Sequence, residues 1–90
     1  IIHEPARLRI MMILAGLEQA DFTFLAMTLS LTRGNLNRHM EKLESAGYLK
    51  VKRSFKGKVR NTSYKLTQKG SKSLARYWEN LDAIRRSGQP

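Results

Sequence analysis

The spacing of apolar residues changes twice along this chain, and that change constrains the fold more than any other feature. Up to Gly47 the apolar residues recur at helical spacing; from Leu49 to Leu66 they alternate; beyond Thr67 helical spacing returns. At 90 residues the chain has the length of one domain. A domain this short buries only about 60% of the surface its unfolded chain exposes. All its helices and its strand pair must therefore share one small core.

Local signals divide the chain into a helix over 4–17, a helix over 23–30, a helix over 33–46, a hairpin over 48–66, a helix over 68–86 and a tail over 87–90. Pro5 suits the first turn of the opening helix, and Gly16 marks the approach of its end. Leu8, Met11, Met12 and Ala15 fall on one side of it, and Ile10, Ile13, Leu14 and Leu17 widen the stripe. A helix apolar nearly all round is expected to be buried nearly all round, which in so small a domain points to a partner subunit. The second helix is entered through Asp21 or Thr23 as N-cap, with Leu25 and Leu29 inward. Thr32 is placed to cap the third, whose buried stripe is Leu36, Met40 and Leu43. Gly47 suits the left-handed residue that ends it. In the hairpin Leu49, Val51 and Phe55 alternate with Lys50, Lys52 and Ser54, and Gly57 supplies the turn. Thr67 caps the last helix.

Seventeen Lys and Arg stand against seven Asp and Glu, a net charge of +10. Between Ser45 and Trp78 there is no acid, but Lys50, Lys52, Arg53, Lys56, Lys58, Arg60, Lys65, Lys69, Lys72 and Arg76 all fall there. The excess is thus concentrated in one stretch, the electrostatic footprint of a polyanion binder. The bland alternative is a solvated basic surface.

Helix, helix, helix, hairpin, helix, mainly α with a small β-hairpin, is the order of a winged helix-turn-helix over residues 1–90. A B-DNA major groove about 12 Å wide admits one α-helix with its side chains. With Leu36, Met40 and Leu43 inward, the third helix turns Gly34, Asn37, Arg38, Glu41, Lys42 and Ser45 outward. Asn pairs bidentately with adenine and Arg with guanine, so Asn35, Asn37 and Arg38 are the candidate base readers. Arg33 and Lys42 suit phosphates, and Thr32 with the first-turn N–H groups offers a phosphate site. At the hairpin tip Lys56, Lys58 and Arg60 are placed for backbone phosphates, and Arg60 for a narrow minor groove. Glu41 is expected to balance neighbouring bases and His39 to pack.

The run "HEPARLRIMMIL" resembles the opening helix of arsenical-repressor-type (ArsR) and related winged-helix regulators, and "LTRGNLNRHMEKLESAGYLKV" resembles their recognition helix and following strand. "FKGKVRNTSYKLTQKG" is similar to the wing of a compact MarR-like family, in which a Phe, a Gly, then Thr-x-Tyr-x-Leu-Thr-x-x-Gly recur. Those positions here are Phe55, Gly57, Thr62, Tyr64, Leu66, Thr67 and Gly70. The resemblance implies a homodimeric, sequence-specific regulator of bacterial or archaeal transcription. Metal sensing by the arsenical repressors depends on cysteines, which this chain lacks, so it is not carried over.

Dimerisation also has a signal of its own. Leu74, Tyr77, Leu81 and Ile84 are spaced three, four, three, with Trp78 beside them, as in a short heptad seam, and packing on the domain's own body is the rival reading. With Met11 from the first helix, these are the expected interface residues. No catalytic set or phosphate loop is apparent, so no enzyme is expected, and neither a metal nor a cofactor. The expected partners are double-stranded DNA and a second copy, with no membrane, and no effector pocket is legible. Alternatives are a sequence-independent architectural DNA- or RNA-binding protein and a protein-docking module. Absent cysteines fit a reducing cytoplasmic setting, and a chain opening on isoleucine is expected to be preceded by further sequence.

Overall fold

The helical spacing before Gly47 becomes three helices in a computed structural model that describes residues 4–88, apart from the side chain of Lys56. They are α1 (Pro5–Ala15), α2 (Phe22–Leu29) and α3 (Arg33–Ser45). A two-residue strand, β1 (Ala20–Asp21), precedes α2; β2 (Leu49–Lys56) and β3 (Val59–Leu66) form the hairpin, and α4 (Gln68–Ser87) follows. The first helix stops at Ala15, short of the expected residue 17, because Gly16 caps it and the chain must then extend into β1. The antiparallel sheet has the order β1-β3-β2, with Ala20 opposite Tyr64 and Asp21 opposite Ser63.

Side-chain oxygens set the helix starts. Glu4, Asp21, Thr32 and Thr67 each accept a backbone N–H from the first turn of the helix they precede. The end of α3 is set by Gly47 at φ 83°. Its N–H donates to the Glu44 carbonyl and that of Tyr48 to the Leu43 carbonyl, which closes the helix and aims the chain into β2. At the hairpin tip Lys56 pairs with Val59, and Gly57 takes the first central position of the two-residue turn at φ 64°.

The core gathers Ile10, Met11 and Leu14 of α1, Leu25 and Leu29 of α2, Leu36, Met40 and Leu43 of α3, Leu49 and Tyr64 of the sheet and Leu74 of α4. This corrects two expected interface positions. Met11 is 0% exposed, so no part of it is left for a second chain, and Leu74 is likewise buried in this chain's own core. Within this chain the opening helix is not buried all round, since Met12 is 46% exposed. Tyr77 is half-buried and sets its ring edge-on to Trp78, while residues 78–88 are exposed throughout. The molecule is accordingly 59 Å long and only 25 by 21 Å across. Among the described residues no helix is long and apolar enough to cross a membrane.

Candidate nucleic-acid interface

Burial of Leu36, Met40 and Leu43 fixes which way α3 turns, and leaves Arg33, Gly34, Asn35, Asn37, Arg38, Glu41 and Lys42 exposed along its outer face. Thr32 Oγ1 accepts the Asn35 N–H at 3.2 Å, so its hydroxyl is engaged as a cap. The Arg33 guanidinium lies over the Phe22 ring, 4.9 Å from its centroid, and is thereby held to one side of the helix. Asn37 Nδ2 donates to Glu41 Oε1 at 3.0 Å. That bond fixes which end of the amide is oxygen and which nitrogen, and still leaves one N–H and the carbonyl oxygen for a base edge. Arg38 stands on the same face as Glu41, Lys42 and Ser45.

The helix is braced from behind. His39 Nδ1 lies 3.1 Å from Glu4 Oε2 and 3.3 Å from Arg7 Nη1, which ties the middle of α3 to the start of α1. The Ala6 N–H holds the Glu4 carboxyl below its ordinary value; burial opposes this, and the charges of His39 and Arg7 reinforce it. His39 thus packs among polar neighbours, while His3 lies outside the described residues. No group of three or more His, Asp and Glu that could hold a metal occurs among the described residues.

Between α3 and the wing runs a cleft of about 520 Å³ lined by Phe22, Arg33, Asn37, Arg53, Arg60 and Thr62 among others, with no acid among its lining residues. The hairpin register explains the membership. Leu49 opposite Leu66, Val51 opposite Tyr64, Arg53 opposite Thr62 and Phe55 opposite Arg60 all share the face turned towards the helices. Leu49 and Tyr64 are buried on the core at the base of that face, and Arg53 and Arg60 carry it outward into the cleft. Three arginines therefore line one concavity, a composition suited to phosphate oxygens. Residues 6–84 match the family described as the winged helix DNA-binding domain. The chain belongs to that family.

Similar proteins span most of this winged helix domain. An uncharacterised protein of Methanocaldococcus jannaschii is 40% identical over 78 residues, which are 86% of this chain and 84% of that one. The structure of a transcriptional regulator homologue from Pyrococcus horikoshii superposes with a TM-score of 0.88 at 29% identity, covering 96% of this chain and 85% of that one. A zinc-responsive MarR family member from Lactococcus lactis shares the fold, with a TM-score of 0.62 at 21% identity over 89% of this chain and 57% of that one. The family is one of DNA-binding domains, not of enzymes.

Of the residues singled out from sequence, the winged helix brings Arg33, Asn37 and Arg60 together around the cleft. Asn35, Arg38 and Lys42 lie on the exposed outer face of the helix, Lys58 is exposed at the tip, and Lys56 lies outside the described side chains. Sequence reasoning missed Arg53, Phe22 and Thr62 as site residues. The signal for Arg53 was present in its parity, since it alternates in step with Leu49 and Val51 and not with Lys50 and Lys52.

Proposed function

We propose that this domain is a sequence-specific double-stranded-DNA-binding transcriptional regulator that acts in the cytoplasm as a homodimer on a roughly palindromic site. The observation that carries the reading is the acid-free cleft with Arg33, Arg53 and Arg60, placed between an exposed polar helix face and a basic hairpin. The outer face of α3 enters the major groove, the backbone that borders the groove lies in the cleft, and the wing with Lys56, Lys58 and Arg60 reaches the adjoining phosphates or minor groove. Thr32, Arg33 and Lys42 hold backbone, and Asn35, Asn37 and Arg38 read bases. The regulatory role is supported by the likeness to the transcriptional regulator homologue of Pyrococcus horikoshii.

The dimer is supported by Trp78, Leu81 and Ile84, which α4 exposes on successive turns. A helix end that stays exposed is marginal in water unless its apolar stripe is covered. Two-fold symmetry then places half-site centres one helical turn, about 34 Å, or a multiple of it apart.

Selection from a random duplex pool, followed by titration of the winner against scrambled duplex at two salt concentrations, tests the reading. An inverted repeat whose advantage persists at the higher salt supports it. Binding that is equal for all sequences and collapses with salt replaces it with an architectural role, and no binding at all points to RNA or protein partners.

Substitutions separate the roles. Arg38→Ala should cost about 1–3 kcal/mol at one base pair and relax preference there, whereas Lys58→Ala should weaken all sequences alike and lower the salt slope by about 1. Titrating both against single-base variants of the selected site checks this, and equal behaviour of the two would refute the division. Glu41→Ala makes a sharper contrast. It removes a negative charge from the groove-facing surface and frees the Asn37 amide to turn, so affinity for any duplex should rise a few-fold while discrimination at the base read by Asn37 falls roughly 10-fold. Unchanged discrimination would show that the hydrogen bond to Asn37 plays no part in reading.

A further inference from the structure

The alternation that sends Arg53 and Arg60 into the cleft sends other bases the opposite way. Lys50 and Lys65 are directly opposed across the hairpin, and Lys52 follows two residues on along the same outer face. All three are exposed, and Lys50, Lys52 and Lys65 line one shallow depression with Gln19, Val51, Ser63 and Tyr64. Like charges directly opposite each other in a strand pair destabilise it. Nothing nearby offsets the cost: among the described residues no acid pairs with any of the three lysines. Asp21 sits by Lys52, and its carboxylate caps α2 through the Phe24 N–H at 2.8 Å. A local arrangement that works against its own fold marks a place where function imposes the residues.

We propose that this outer face of the wing, Lys50, Lys52 and Lys65, is a second phosphodiester-binding surface, which takes duplex flanking the half-site while α3 and the cleft hold the half-site itself. The inference rests on the DNA-binding reading above. The two basic surfaces lie on opposite sides of one sheet, so a phosphate in the cleft is out of reach of these lysines and they need a different stretch of backbone. The chemistry of the face favours nucleic acid over an acidic protein. Apart from Val59 near the tip, the residues of outward parity are polar or basic. Val51 and Tyr64, which also line the depression, are of the opposite parity, with Tyr64 buried in the core. Protein interfaces take most of their energy from buried aromatic and aliphatic anchors. Lysine as a mobile point charge serves a phosphate backbone without such anchors.

The test uses a Lys50→Thr/Lys65→Thr variant, since threonine is a good strand residue without charge. Wild type and variant are titrated with the selected duplex trimmed to its inverted repeat and with the same repeat extended by one helical turn at each end, over a range of salt. The wild type should bind the extended duplex roughly 10-fold more tightly than the trimmed one, with a steeper salt dependence. The variant should lose that gain, bind the trimmed duplex as the wild type does, and melt at a slightly higher temperature. Equal weakening on both duplexes would place the lysines in the primary grip, and no weakening on either would leave them a solvated face; each overturns the proposal. No gain from the flanks in the wild type overturns it too. Failure of the wild type to bind either duplex instead defeats the DNA-binding reading on which it rests.

Discussion

In the proposed dimer, a Leu81→Asp substitution is expected to leave a monomer and to lower affinity for the proposed inverted repeat by about 10²–10⁴-fold. Leu81 is 43% exposed, and Trp78 and Ile84 flank it at helical spacing on the same stripe of α4. Covering what remains exposed of each such side chain in a dimer contributes about 1 kcal/mol, since full burial of a large apolar side chain is worth about 1.5–3 kcal/mol. A carboxylate placed between Trp78 and Ile84 must be stripped of water to remain in the interface, and Arg85 one turn on, already paired with Asp82 at 3.1 Å, compensates it only in part. The affinity loss exceeds any single contact because the second half-site is bound by a tethered subunit at high effective concentration, and a monomer forfeits that gain. Leu81 lies outside the core, so the body of the domain should melt as before. Sedimentation velocity and duplex titration on one preparation check both parts. A variant that stays dimeric, or a monomer that binds the full site undiminished, removes α4 as the dimer element.

The second large effect is on the fold. Gly70→Ala is expected to destabilise the domain by about 2–3 kcal/mol, a fall in Tm of about 10–20 °C for a chain of this size. A Cβ on Gly70 would press into the Tyr48 carbonyl oxygen and lie 2.9 Å from Leu66 Cδ1. Backbone cannot swing aside as a side-chain tip can, so the start of α4 must move off the base of the wing. That junction is tightly tied. Thr67 Oγ1 donates to the Gly47 carbonyl at 2.6 Å and accepts the Gly70 N–H at 3.0 Å, and the Thr67 N–H donates to the Tyr48 carbonyl at 2.9 Å. Shifting Gly70 therefore disturbs the end of α3 and the base of the hairpin together. Gly34→Ala is the control, since nothing lies within 4 Å of its Cβ position and it should cost no stability. Thermal melts of both variants decide the matter; equal Tm values would mean that α4 accommodates the methyl group without strain.

The Thr-x-x-Gly run shows how a sequence signal and its physical reason can lie far apart. The resemblance to a wing motif marks Thr67 and Gly70, but only the folded chain shows that the threonine joins three elements and that the glycine admits a carbonyl. Local chemistry did make much of the architecture readable. Thr32, Thr67 and Gly47 set helix ends through bonds to residues within five positions of themselves. Such contacts need no tertiary context. The same holds for the two-residue turn at Gly57.

Where the pattern was ambiguous by itself, packing chose. The run "IMMIL" offers apolar residues around most of a helix, so nothing local says which of them meet the core; α2, α3 and α4 selected Ile10, Met11 and Leu14 and left Met12 outside. Strand β1 escaped notice because two residues cannot establish a period, and it exists only by pairing with β3. The sequence by itself determined the kinds of element, their order, their caps and a basic excess placed after the third helix, because each depends on neighbours along the chain. Tertiary structure alone decided what those bases meet. Alternation puts Arg53 in step with apolar Leu49 and Val51, but only the packing of the sheet on the helices makes that face one wall of a cleft shared with Arg33 and Asn37, because those residues are distant along the chain.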